Sequence, residues 1–298
     1  MPRAVLANYF GTSRVLRCLG VKQTVKSLSV TVRVHTMGTK LEKAPVCLTI
    51  AQVCFSEMLK LKSQLPEIQD KFREIGFPIY KSEQLQEFEY GPEREGSAHL
   101  SVNKRTRYRF SNRKETAAFL LDHRSLTYLL SDYPVFDTFA KQFGDGMKII
   151  QENLSLEVAE RLGMRILDAI QPLQSERIEQ YLIPEALGLS NHLNLGLPHQ
   201  QTLIESVFSD RDRSVVMRAV RLLEGIALPP DLLPLRVKLD ARFTEHRGET
   251  VMLDCDSSST SRVDFDVRSL LERLRELKSA LTCCFTAIVT PYALDSWK

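Results

Sequence analysis

LEVAERLGMRILDAIQ, residues 156 to 171, carries the alternation on which the fold turns. Leu156, Val158, Leu162, Met164, Ile166 and Ile170 fall on one side of an extended chain, and Glu157, Arg161, Arg165 and Gln171 on the other. That is the period of a strand with one buried face. The stretch lies at the middle of the sequence, and the same order of elements is predicted on each side of it: strand, helix, several strands, long helix. It is therefore the first strand of a second half. The fold expected is α+β, two tandem halves at 43–155 and 156–298 with mainly antiparallel sheet.

With 298 residues, 43% hydrophobic and 26% charged, the chain can bury a core without staples and is not of disordered composition. The most apolar run, Leu281 to Val289, is far short of the roughly 20 residues a spanning helix needs and contains Thr282 and Thr286. No membrane partner is expected. Six cysteines (Cys18, Cys47, Cys54, Cys255, Cys283, Cys284) show no metal-type spacing and no secretory signal precedes them. Reduced thiols in a cytoplasmic protein are the simplest account, with Cys47, Cys54 and Cys284 packing as small hydrophobes.

The formal net charge of +3 is misleading until it is located. Residues 1–36 hold Arg3, Arg14, Arg17, Lys22, Lys26 and Arg33 and no acid, so +3 less 6 leaves −3 for the rest. Residues 1–42 are expected to be a disordered extension or the product of a start assigned too early, with Met37 as another start. A transit peptide comes second and a nucleic-acid arm third.

In the first half, Ala44 to Phe55 is predicted as a buried strand. Leu65, Ile68, Phe72 and Ile75 then mark a helix, with Ser63 as N-cap, Pro66 in the first turn and Gly76 at the C-terminal left-handed position. Gln86 to Tyr90 and Arg105 to Phe110 are short strands around the loop from Gly91 to Ser97, and Thr116 to Leu130 is a hairpin turning at His123 and Arg124. Asp132 and Pro134 open a helix with an aromatic stripe from Phe136 to Phe143. Gly144 and Gly146, each costing about 1 kcal/mol in a helix, predict a kink there.

In the second half a short helix is predicted from Ser175 to about Leu187. Strands at Thr202 to Phe208 and Ser214 to Leu223 flank the turn Ser209 to Asp212. The strongest strand signal is at Leu235, Val237, Leu239, Ala241 and Phe243, alternating with Arg236, Lys238, Asp240 and Arg242. Thr250 to Cys255 follows, then a serine loop, then a long helix through Val267, Leu270, Leu274, Leu277, Leu281 and Ile288 capped by Asp264 or Asp266.

No P-loop, GxGxxG, HExxH, GxSxG or paired CxxC occurs, which lowers the expectation of an enzyme. His192 and His199 share a loop but lack a third ligand, and Asp254 with Asp256 reads as a strand end, so no metal and no cofactor are expected. Asp168 stands on the apolar side of the central strand and should be buried and paired with an Arg or with backbone donors. Arg165 points to the opposite side. Arg105, Arg107 and Arg109 share one strand face while Tyr108 and Phe110 take the other, which separates the cations from any stacking platform a single-stranded nucleic acid would use.

The opening Lys43-Ala44-Pro45-Val46, RYRF from Arg107, Tyr133-Pro134 with its aromatic helix, the strand Arg165 to Asp168, LDCD from Leu253, and Phe285 to Trp297 together resemble a sporadically distributed family of uncharacterised prokaryotic proteins of about 250 residues. The resemblance covers nearly everything after residue 42. It implies no activity, because none is established for that family, whose central strand usually reads Arg-Tyr-x-Asn where this chain has Arg165-Ile166-Leu167-Asp168. The function expected is a non-catalytic interaction or regulatory module with a protein partner. A hydrolase or nucleotide-processing enzyme with a carboxylate and arginine site is the alternative, and nucleic-acid binding the third. The candidate binding residues are Arg165, Asp168, Arg105, Arg107 and Arg109.

Overall fold

The alternating stretch becomes β6 (Val158–Ile170), next to β1 (Val46–Phe55) at the centre of a ten-stranded sheet in a computed structural model that describes residues 43–90, 100–173, 175–193 and 195–298. The N-terminal extension and the loop from Gly91 to Ser97 lie outside the described residues. The first half runs β1, α1 (Leu61–Glu74), β2 (Ile79–Tyr90), β3 (Leu100–Ser111), β4 (Ala117–Leu121), β5 (Ser125–Leu130), α2 (Phe136–Leu154). After β6 come α3 (Ile178–Tyr181), α4 (Pro184–Leu187), β7 (Gln201–Ser209), β8 (Arg213–Leu222), α5 (Ala241–Thr244), β9 (Thr250–Ser259), β10 (Val263–Asp264), α6 (Val267–Ile288) and α7 (Pro291–Ser296).

The strand order is β2-β3-β4-β5-β1-β6-β9-β8-β7, with β10 on the end of β6, and every pairing is antiparallel. The opening strands of the two halves are neighbours, Thr49 opposite Ile166 and Ala51 opposite Met164, so both halves contribute to one sheet. The fold is α+β, as expected.

Helices α1, α2 and α6 cover one face. Ala51, Val53 and Phe55 of β1 and Leu162, Met164 and Ile166 of β6 meet Phe72, Phe139, Phe143, Leu270, Leu274 and Leu281 there. Phe72 stacks on Phe110 at 4.5 Å between ring centroids, and Phe119 on Tyr128 at 4.5 Å. Such buried rings, each hiding a large apolar area, are the main source of stability on this side. A second cluster, including Ile170, Tyr181, Leu187, Leu253, Ile288 and Trp297, closes the far end of the same face.

Several local expectations are corrected by packing. Helix α1 begins at Leu61, before Ser63, because Leu61 is itself a fully buried anchor. Helix α2 starts at Phe136 rather than Pro134, with no side-chain cap, and runs unbroken through Gly144 and Gly146. Those glycines serve close packing: a Cβ on Gly146 would stand 2.4 Å from Phe119, and one on Gly144 2.9 Å from Leu271. The serines after Asp256 are strand, since Ser257, Ser258 and Ser259 pair with both β6 and β8. The short helix predicted from Ser175 divides into α3 and α4 at Pro184.

The largest correction concerns residues 235 to 243, which form no strand. The segment from Ile226 to Phe243 lies over the other face of the sheet. Leu235, Val237, Leu239 and Phe243 point down onto Leu48, Ile50, Leu120, Leu129, Leu167 and Met252. The cover is tied to the body by Lys238 N donating to Glu115 O at 2.7 Å and by Arg109 Nη1 donating to Arg236 O at 2.8 Å. An extended chain laid on an apolar surface buries every second side chain just as a ladder strand does, so the alternation was real and its cause differed. At Asp240 the alternation ends in a capped turn of helix, the carboxylate accepting from Arg242 N.

Candidate functional site: a polar cleft beside the cover

The cover hides only part of that face. Where it stops, a cleft of about 300 Å³ opens, floored by β5, β1 and β6 and walled by Arg107, Asp231, Leu232, Leu233 and Arg236. Its polar lining follows from strand alternation: the odd residues of β6 (Arg161, Gly163, Arg165) and the even residues of β9 (Asp254, Asp256) share the face away from the helices.

Arg165 is the most constrained of these. Its Nε and Nη2 donate to the two Asp254 oxygens at 2.6 and 2.7 Å, and its Nη1 reaches Asp231 of the cover at 2.6 Å. Asp254 is fully buried and also accepts from Arg218 Nη1 at 3.4 Å, while Arg218 Nε holds Glu205 at 2.5 Å. A fork-to-fork pair of this geometry is strong and directional, and it fastens the cover to β6 and β9. Burial works against the Arg165 charge, but the two carboxylates outweigh it and hold the guanidinium pKa above its ordinary value.

Arg161 differs. Its guanidinium folds back over Gly163, where a Cβ would come within 3.0 Å of Nη1 and 3.1 Å of Nη2. Glycine at this strand position is what admits the cation. Nη1 donates to Gln52 Oε1 at 2.8 Å, and Gln52 Nε2 donates to Thr127 Oγ1 at 2.9 Å. Among the described residues no carboxylate lies within ion-pairing distance of Arg161. The carboxyl of Asp256, opposite Arg165 in the ladder, accepts no hydrogen bond among the described residues; burial raises its pKa, with Arg161 and Arg165 pulling the other way.

The remaining arginines are bound up in ion pairs. Glu83 accepts from Arg107 Nη2 at 3.3 Å and from Arg236 Nε at 2.6 Å, and lies 3.9 Å from Arg109. Arg105 stands 3.9 Å from Asp122, and Arg109 a further 3.9 Å from Glu115. Tyr108 and Phe110 are buried on the helix side. Of the residues singled out from sequence, Arg165 and Arg107 line the cleft, while Arg105 and Arg109 share its sheet face.

Asp168 does not join them. It is 3% exposed on the helix side, and among the described residues no arginine pairs with it. The expected pairing is replaced by a neutralising environment: burial lifts its pKa to about 7, and Lys278 of α6, close enough to act electrostatically, pulls it down. Lys278 is itself depressed by burial, with Asp168 opposing, and its Nζ donates to Thr282 Oγ1 at 2.5 Å. The reason is topological: β6 sends Asp168 and Arg165 to opposite faces, as an even and an odd residue must go.

Sequence reasoning missed Arg161, Gln52, Asp231, Arg218 and Arg236 as site residues. Gly163 in the middle of a strand was the one available signal, since a strand glycine often marks a close approach. No group of three or more His, Cys, Asp or Glu side chains among the described residues could hold a metal ion. Cys54, near Gln52, has its pKa raised by burial and makes an unactivated thiol. Compared with protein-family models and with curated proteins, the chain has no match.

Proposed function

We propose that this protein is a non-catalytic interaction or regulatory module that holds an anionic group of its partner in the cleft. The observation that carries the proposal is Arg161, a cation laid on the cleft floor by Gly163 and Gln52 with no carboxylate in ion-pairing distance among the described residues, whereas Arg107, Arg165 and Arg236 are each ion-paired. Guanidinium groups recognise carboxylates and phosphates through several parallel N–H donors, and Arg161 has donors to offer. Catalysis would need a nucleophile or a base in contact with one, and the carboxylates that line the cleft are Asp231, held by Arg165, and Asp256, set against arginines.

The enzyme alternative rests on that same Asp256, a buried carboxyl with a raised pKa. Nucleic-acid binding is the weaker reading, because Arg105, Arg107 and Arg109 are engaged by acids and the aromatic rings lie on the far side of the sheet.

The test is the melting temperature of the full chain at constant ionic strength in chloride, acetate or inorganic phosphate. A ligand at about 100 times its Kd stabilises by about 2.7 kcal/mol, which a melt resolves. Stabilisation by acetate or phosphate over chloride that disappears in Arg161→Gln is the result expected. An anion effect that is absent, or equal in the variant, removes the proposal.

A further inference from the structure

The cleft is divided chemically across the strands. On the β6 and β9 side stand Arg161, folded over Gly163, and Arg165 opposite Asp256. On the β4, β5 and β1 side stand Leu120, Leu129 and Ile50, with Leu232 and Leu233 of the cover beside them, and Thr127 and Gln52 as the polar groups between. A ligand that lies across the strands meets charge on one side and hydrocarbon on the other.

The charge on offer is small. The four lining arginines (Arg107, Arg161, Arg165, Arg236) are matched by Asp231 and Asp256 in the lining and by Glu83 and Asp254, which bond those arginines directly. With every carboxyl ionised the set is neutral, and with one proton on Asp256 it is a single positive charge in excess. A phosphate ester near neutral pH brings close to two negative charges, more than this excess matches. One carboxylate brings one. A volume near 300 Å³ lies at the low end of ligand pockets and limits the body to a short chain or a ring.

We infer that the cleft is a binding site for a small amphipathic monocarboxylate, its carboxylate on Arg161 and its apolar body against Ile50, Leu120 and Leu129. The inference rests on the reading that the cleft holds an anionic group, and it adds the class of that group and the need for hydrocarbon attached to it. Burial disfavours the ionised form of Asp256, which eases the approach of a carboxylate to Arg161. Gly163 admits the cation, and Gln52 orients it by accepting from Nη1.

Isothermal titration of the full chain with octanoate, octyl phosphate, 1-octanol and acetate tests the inference. Octanoate is expected to bind at least tenfold tighter than acetate or octanol and tighter than octyl phosphate. Arg161→Gln should lose tenfold or more of the octanoate affinity with little shift in melting temperature, since no acid lies within ion-pairing distance of Arg161 among the described residues. Should that variant melt early, Arg161→Lys, which keeps the charge and loses the fork, is expected to show a several-fold loss with the fold intact. Octanol binding as tightly as octanoate overturns the role of charge. Octyl phosphate binding tighter, or acetate binding as tightly as octanoate, overturns the monocarboxylate class while leaving anion binding in place. No binding by any of the four removes both.

Discussion

Asp168→Asn isolates the buried carboxyl on the helix side of the sheet. Asp168 is 3% exposed, accepts no hydrogen bond among the described residues, and has Lys278 as its electrostatic neighbour. Burial raises its pKa from 3.8 to about 7, against the pull of Lys278. Between those values the folded protein keeps a proton that the unfolded chain has released, so this group's contribution to stability falls as pH rises through the interval. Below 3.8 both states are protonated and the contribution is constant; above about 7 both are ionised and the loss is complete. At about 1.4 kcal/mol per pH unit the interval carries about 4 kcal/mol. Asparagine has nearly the same shape and no charge to bury. In urea melts the variant should be the more stable by about 1.5 kcal/mol near pH 5, where the unfolded chain has ionised and the folded protein has not, and by about 4 kcal/mol near pH 8, the pull of Lys278 being already contained in the raised pKa. Taking the difference between the two proteins at each pH cancels the other titrating groups. A variant less stable than the parent near pH 8, or a difference that stays the same between the two conditions, would refute the reasoning and mean that Asp168 is ionised and firmly paired.

Arg165→Ala should destabilise by about 3 to 5 kcal/mol, because it leaves Asp254 buried with only the longer Arg218 contact, and Arg165→Met combined with Asp254→Leu should recover most of that loss in denaturant melts. Gly146→Ala should cost about 1 to 3 kcal/mol through overlap with Phe119 despite alanine's better helix propensity, and an unchanged melting temperature would mean that α2 sits farther from the sheet than the structure has it. Asp266→Ala removes the carboxylate that accepts from Ser269 N at 2.9 Å at the start of α6 and should cost about 0.5 to 2 kcal/mol, read as a lower midpoint with an unaltered denaturant slope.

How much of this was legible beforehand varies with how local the cause is. The long helices α2 and α6 could be read because one buried face imprints a helical period on successive residues; the placement of β6, β7 and β8 and the turn between the last two rested in the same way on a period of two. The reading that Arg165 and Asp168 leave β6 on opposite faces needed nothing beyond alternation, and it held. Where the period had two explanations the sequence could not choose: residues 235 to 243 alternate because they lie on an apolar surface, and only the position of that surface shows that no strand pairs with them. Gly144 and Gly146 carry a helix-breaking propensity that the close approach of Leu271 and Phe119 overrides, and the serines of β9 are strand because β6 and β8 flank them.

The site lay further still from the sequence. Gln52, Arg107, Thr127, Arg161 and Arg236 come from five separate segments and meet only because sheet order and the cover bring them together. Sequence alone determined the fold class, the principal helices and the side from which each strand residue leaves, since those depend on neighbours a few residues away. Tertiary structure decided the partners of Asp168 and Arg165, the role of the cover and the existence of the cleft, since those depend on distances between residues up to 206 positions apart, from Ile50 to Asp256.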